Sequence, residues 1–239
     1  MSIEEMSNGF DVLVDSYRRF KDFDKRDEFD SIEFDEYAKS VHLTQAQQDV
    51  VVSLYNGKNA YGEAFENSEE QRRYLDPLVK TKEYDYSERL GSRIGVSETS
   101  IFFTLPTDLA FITLEEIKFN DETLGCASSS TGGVYPVTQD EYLRVRKNPF
   151  RGPTKYKVLR LDSGEGTVEL VSKYTISKYL IRYLAKPEPI ILENLTGGLS
   201  IEGESTAQGC QMNPLLHDAI LRRAVQSALA SKGIQVNNQ

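Results

Sequence analysis

The sequence predicts an α+β fold: a bundle formed by N- and C-terminal helices, with a β-rich antiparallel lobe between them. Three observations lead there. Apolar residues recur at helical spacing in the first third of the chain and again after Asn213. Between Ile101 and Leu184 that period gives way to β-branched and aromatic runs bounded by turn residues. Boxes of the form Ser/Thr-x-x-Glu/Gln begin at Thr44, Ser68 and Thr138, each a signature of a helix start. No internal repeat of fixed period occurs.

Element by element, Phe10, Leu13, Val14 and Tyr17 mark one face of a helix between Asn8 and Phe20. From Asp22 to Glu36 acids alternate with Phe23, Phe29, Ile32 and Phe34. Asp22, Asp24 and Glu33 imitate a calcium loop, but Arg26 and Asp27 stand where an oxygen ligand and a glycine are required. The stretch therefore reads as a solvated acidic face with aromatic anchors. Thr44-Gln45-Ala46-Gln47 predicts the start of a helix through Val50, Val51 and Leu54, ended by a left-handed Gly57. Ser68-Glu69-Glu70-Gln71 opens another, with Tyr74, Leu75 and Leu78 on one side, which Pro77 kinks or shortens.

Ile101–Pro106 and Phe111–Leu114 read as strands, and Lys118–Gly133 as a loop whose Ser- and Gly-rich part, Gly125–Gly133, is expected to be mobile in a free subunit. Thr138-Gln139-Asp140-Glu141 starts a short helix that stops before Asn148-Pro149. A hairpin follows, Tyr156–Leu161 and Thr167–Val171 around Asp162–Gly166, then a strand at Tyr179–Leu184. Asn213 and Pro214 are an N-cap and first helical residue, and Leu216, Ile220, Leu221, Ala224, Val225, Ala228 and Leu229 stripe the helix that ends at Gly233. The expected organisation is a helical region over 1–95, a β-rich lobe over 96–212 and a C-terminal helix over 213–239 packing back on the N-terminal helices.

Composition excludes several classes. The 239 residues carry 28 Lys and Arg against 37 Asp and Glu, a net charge of −9. That sign argues against wrapping nucleic acid, though not against a wall past which DNA slides. Cys126, Cys210, His42 and His217 are too scattered to suggest structural zinc, and two reduced thiols are the simpler reading than a disulfide. No apolar run approaches the ~20 residues that span a bilayer, and the acidic Met1–Glu5 start is unlike an export signal. Gly164-Glu165-Gly166 is a lone G-x-G, Gly57-Lys58 lacks the upstream glycine of a phosphate loop, and no G-x-S-x-G accompanies either histidine. No catalytic residue, cofactor site or metal ligand is predicted, and both histidines read as structural.

One segment stands out as a contact surface. Arg144, Arg146 and Lys147 precede Phe150, which lies between Pro149 and Pro153 with Arg151 beside it. Either this is a turn whose Phe150 packs into its own domain, or it is an intersubunit contact. Prolines reduce the entropy lost on docking, an aromatic beside Arg is common at interface hot spots, and the cations would seek acids such as a neighbour's Asp22–Glu36.

Tyr183-Leu184-Ala185-Lys186-Pro187 closing a strand, and the final Leu216–Val225 helix, resemble the head-to-tail connector or adaptor ring proteins (tubular-tail-like) of short-tailed bacteriophages. With Leu43–Gly57, and with Tyr142–Arg144 leading into Asn148–Pro153, the chain is most similar to ring proteins of crAss-like phages. That resemblance implies a non-enzymatic virion component, present in the host cytoplasm during assembly. It implies a twelve-copy homo-oligomeric ring beneath the portal protein, extending the DNA channel and docking neighbouring tail or ring proteins. Contact with passing genomic DNA would be independent of sequence, and no membrane is involved. The alternative from another class is a soluble, non-enzymatic regulatory or binding module of a phage or bacterial cytoplasm.

Overall fold

Asp35, and not Thr44, opens the central helix: its carboxylate accepts from Ala38 N–H at 2.7 Å. The computed structural model describes residues 1–21, 33–58, 64–65, 67–91, 93–127 and 129–234, so most of the calcium-loop imitation lies outside the described residues. Helices α1 (Ile3–Lys21), α2 (Glu36–Asn56), α3 (Glu69–Leu75), α4 (Gln139–Val145) and α5 (His217–Ser231) accompany seven strands. These are β1 (Val79–Asp85), β2 (Ser100–Thr104), β3 (Leu109–Phe119), β4 (Thr131–Pro136), β5 (Lys157–Asp162), β6 (Thr167–Val171) and β7 (Ile176–Ala185). They divide into a helical unit, residues 1–78 with 187–239, and a sheet unit, Val79–Lys186.

In the helical unit α2 packs on α5 and α1 on α5. Met6, Phe10 and Val14 of α1, Leu43, Val50 and Leu54 of α2, and Ile220, Leu221, Val225 and Leu229 of α5 are buried. At Gly9 a Cβ would sit 2.9 Å from Leu221 Cδ2, so glycine is what permits the close approach of α1 and α5. Gly57 ends α2 in the left-handed conformation, with φ 71°. Ser68 makes no side-chain cap bond, and α3 gives way to a 3₁₀ turn at Asp76–Leu78, around Pro77.

The buried face of α2 is unusually polar. Lys39 donates to Asp11 Oδ2 at 2.7 Å, Glu36 Oε1 at 2.9 Å and Ser7 Oγ at 3.2 Å, joining α1 to α2. Burial alone would lower the pKa of this ammonium, but the hydrogen bonds and charges of Asp11 and Glu36 outweigh it and hold the pKa above its ordinary value. Thr44 is the ninth residue of α2, and its hydroxyl accepts from Ile190 N–H at 3.0 Å and donates to Ile190 C=O at 3.2 Å. Ser40 Oγ accepts from Leu192 N–H at 3.0 Å, and Gln47 Nε2 donates to Glu188 C=O at 2.8 Å. The residues that look like a cap box therefore tether the strap after Pro187 to the side of the helix. Thr44→Val keeps the shape and strands both polar groups of Ile190, so it should lower stability by about 1–3 kcal/mol in urea unfolding. An unchanged midpoint would show that water replaces the tether.

In the sheet unit the strand order is β1-β7-β3-β4-β5-β6-β2, antiparallel throughout except for β4 beside β5. The sheet curls until its two edge strands meet. The ring of Tyr84 of β1 packs, tilted, against Phe103 of β2 with centroids 5.4 Å apart, its hydroxyl donates to Thr104 C=O at 2.8 Å, and Leu90 N–H donates to Phe102 C=O at 2.8 Å. Phe103, Ile117, Val158, Val168, Ile176, Tyr179 and Ile181 fill the interior. The hairpin Lys157–Val171 forms as the sequence predicts.

Three boundaries differ from the sequence expectation. Val79–Asp85, assigned to the helical region 1–95, is an edge strand: Lys80, Lys82 and Glu83 are exposed, as charged residues on an edge are. Residues 187–212, assigned to the β-rich lobe, belong to the helical unit, because the tether from α2 holds them there. Thr131–Gly133, assigned to a loop, pairs with both β3 and β5 as part of β4. A Cβ at Gly132 would meet Phe119 and the Tyr156 backbone at 3.1 Å, so glycine there serves close packing. Ser128 lies outside the described residues. Cys210 is a free, half-buried thiol; the side chain of Cys126 also lies outside what is described.

Candidate interaction surface

Thr138 caps α4, its hydroxyl accepting from Glu141 N–H at 3.4 Å. Tyr142 then packs on Leu159, Leu161 and Val171, on the outer face of the sheet. That contact turns the following residues outward: Leu143 is 60% exposed, and Arg144, Arg146 and Lys147 are all exposed. Beyond the helix Asn148 Oδ1 accepts from Phe150 N–H at 2.9 Å and Arg151 N–H at 3.3 Å, while Gly152 N–H donates to Asn148 C=O at 2.8 Å. Gly152 is buried, and a Cβ there would stand 3.0 Å from that carbonyl. The turn therefore fixes Phe150 outward, 90% exposed, and the packing of Phe150 into its own domain does not occur.

All five residues singled out from sequence, Arg144, Arg146, Lys147, Phe150 and Arg151, lie on this one projection. The parallel pairing of β4 with β5 adds Tyr135 and Lys157, with the ammonium 4.6 Å from the ring centroid, and Lys155 lies over Tyr156 at 4.9 Å. Tyr135 and Tyr156 are 50% and 60% exposed. From Tyr142 to Leu161 the chain holds seven cations and no acid. Of these Arg160 is drawn into an ion pair with Glu115 and Lys157 is half-buried; Arg144, Lys147 and Arg151 make no ion pair among the described residues. The acid-free run is the signal in the sequence that marks this surface apart from Tyr135, which joins it through the pairing of β4 with β5.

The histidines are occupied by packing. His217 is buried, its Nε2–H donating to Met212 C=O at 3.1 Å and its Nδ1 accepting from the Met1 amino group at 2.9 Å. His42 Nδ1 lies 3.3 Å from Ser227 Oγ, with its ring edge-on to Phe34. Burial lowers the pKa of both below the usual histidine value. The unfolded chain then binds more protons than the folded one as pH falls below about 6.5, so stability present above that pH is lost on acidification. His217→Gln should flatten the low-pH fall of the thermal midpoint; a variant with the same slope as the parent would remove His217 from its cause. No cluster of potential metal ligands exists among the described residues, and no helix there is long and apolar enough to cross a membrane.

The chain is an α+β protein that presents Phe150, 90% exposed, on a projection among exposed cations and aromatics. Over residues 1–239 the chain matches the family model for phage tail ring protein 3/4, and it belongs to that family. Ring protein 3 of Bacteroides phage crAss001 is 45% identical over 233 residues, 97% of this chain and 96% of that one. Ring protein 4/5 of the same phage is 30% identical over 240 residues, 97% and 93% of the respective chains. The resemblance carried by Leu43–Gly57, Asn148–Pro153 and the terminal helix thus holds for the family.

Proposed function

We propose that the chain is a non-enzymatic subunit of a ring in the virion's head-to-tail connector. Twelve copies would surround and extend the DNA channel beneath the portal protein and offer a docking platform to neighbouring tail or ring proteins. The observation that carries this reading is the fixed, exposed Phe150 among cations of which Arg144, Lys147 and Arg151 make no ion pair among the described residues, a surface suited to a protein partner. Arg144, Arg146, Lys147, Phe150 and Arg151 are its intersubunit contact. The ring names of two relatives covering nearly the whole chain support the assembly. The net charge of −9 would let DNA pass the wall without adhering. Of the acids suggested from sequence as the contact's counterpart, Asp22–Ile32 lies outside the described residues.

Light scattering of the chain, alone and with portal protein, tests the reading. A multiple of the 27.0 kDa subunit near twelve is the expected mass. A monomer or dimer under both conditions, together with absence from ring density in purified particles, would favour the regulatory-module alternative.

A further inference from the structure

The charge of this chain is segregated along its length. Opposed to the acid-free run of Tyr142–Leu161 is Pro187–Leu221, which contains five acids and neither Lys nor Arg. Within it residues 191–208 form an ordered ribbon with little regular secondary structure. Ile191 and Gln208 exchange backbone hydrogen bonds at 2.8 and 2.9 Å, Leu195 N–H donates to Ser205 C=O at 2.8 Å, and Asn194 Oδ1 accepts from Ala207 N–H at 2.8 Å. A tight turn at Ile201–Glu204 carries Glu202 and Gly203 at φ 53° and 92°. Ile201 is buried, and Gln48 of α2 donates to the Glu202 carboxylate, so the turn is anchored. Glu193 and Glu204 are exposed and make no ion pair among the described residues, and Leu199 is 47% exposed between them. Long, ordered, irregular connections of this kind are uncommon unless they serve binding.

We propose that the Arg144–Lys157 projection of one subunit docks on the Glu193–Glu204 ribbon of a second copy, an inference that rests on the ring reading above. A ring is built by a heterologous contact, in which each copy offers one face to the neighbour before it and a different face to the neighbour behind. This chain holds both: cations with an apolar peg in the sheet unit, and acids flanking an exposed leucine in the helical unit. Two copies that met through the same face would set cations against cations, which disfavours a closed twofold dimer. The occupant of the projection is therefore another copy of the chain.

Sedimentation of the full chain at low ionic strength tests the pairing. Wild-type protein is expected to self-associate with concentration, and to do so less as salt rises from about 0.05 M to about 0.5 M. Arg144→Glu with Arg151→Glu, and separately Glu193→Lys with Glu204→Lys, should each weaken self-association at least about tenfold, a loss of about 1.4 kcal/mol. In an equimolar mixture the two variants complement each other at both faces, unaltered projection on unaltered ribbon and reversed projection on reversed ribbon, so the mixture should associate again with the two variants alternating. A chain carrying all four changes should associate again. All four side chains are exposed, and unaltered circular dichroism and thermal unfolding would show that each variant folds.

A wild-type chain that stays monomeric throughout, either reversed variant associating like wild type, or a mixture without pairs would overturn the proposal. Imaging of purified particles separates the two readings. The chain present in a ring, with its reversed variants incorporated normally, rejects this docking alone; absence of the chain from any ring rejects the reading beneath it.

Discussion

Phe150→Ala combined with Arg151→Ala should yield a folded subunit that no longer enters the assembly. Phe150 is 90% exposed and touches no core, so its loss should move thermal stability by no more than about 0.5 kcal/mol. The Asn148 turn holds the ring in position before any partner arrives, and little conformational freedom remains to be lost on docking. Aromatic and Arg anchors at interface centres typically contribute about 2 kcal/mol or more, which is more than tenfold in affinity for each contact. In a closed ring every subunit makes the contact twice, once through each face, so the defect compounds. Purified particles would be scored for the variant chain beside a thermal melt of the free subunit. Normal incorporation with normal stability would leave the projection without an assembly role.

Arg160→Leu should be the most destabilising single change in the sheet unit. Arg160 Nη1 lies 2.6 Å from Glu115 Oε2, with side-chain exposures of only 12% and 6%, and the Tyr179 hydroxyl donates to the other Glu115 oxygen. Arg160 Nε approaches Asp162 Oδ1 at 3.4 Å, as an ion pair without hydrogen-bond geometry. Burial alone would lower the pKa of Arg160, but Glu115 and then Asp162 hold it above its ordinary value. Burial, and then the neighbouring Glu115, push the Tyr179 pKa up, so the phenol stays protonated and able to donate.

Removing the guanidinium leaves a buried carboxylate facing Tyr179 and apolar residues, a change that costs about 3–5 kcal/mol. For a chain of this size that corresponds to a fall of roughly 6–20 °C in thermal midpoint. Adding Glu115→Gln should recover part of the loss, because a neutral amide still accepts from Tyr179 without needing a counter-charge. A single variant as stable as wild type would show that water reaches Glu115.

The α+β class was legible because its strongest signals are local. Asn213 and Pro214 start a 3₁₀ turn that leads into α5, with the Asn213 side chain accepting from Leu215 N–H, and the β5–β6 hairpin forms around Asp162–Gly166 as expected. What escaped was set by non-local partners. Thr44 and Gln47 have the spacing of a cap, and only the strap some 140 residues later shows that they bond sideways. Strand β1 lacks an apolar alternation because it is an edge with one buried anchor, Tyr84. β4 is hidden by Gly132 and Gly133, which look like loop and serve close packing. The core of the candidate surface is one continuous segment, Arg144–Arg151, and so can be picked out in the sequence. Tyr135 joins it through a parallel strand pairing that no short window displays.

The division of the chain into an interrupted helical unit and an uninterrupted sheet unit has a consequence for biosynthesis. Val79–Lys186 contains every strand found among the described residues and can close its core as soon as it leaves the ribosome. The apolar faces of α1 and α2 must wait for α5, which begins about 160 residues after α2 ends. At typical elongation rates of about 5–20 residues per second, that wait lasts roughly 10–30 s. Only in the last part of this interval, once Lys186 has been made, does the nascent chain carry a finished cationic projection while the anionic ribbon and the helical unit are still incomplete. Each polypeptide can therefore offer one of the two proposed faces before the other exists, and growth beyond a pair is deferred until translation has supplied the second.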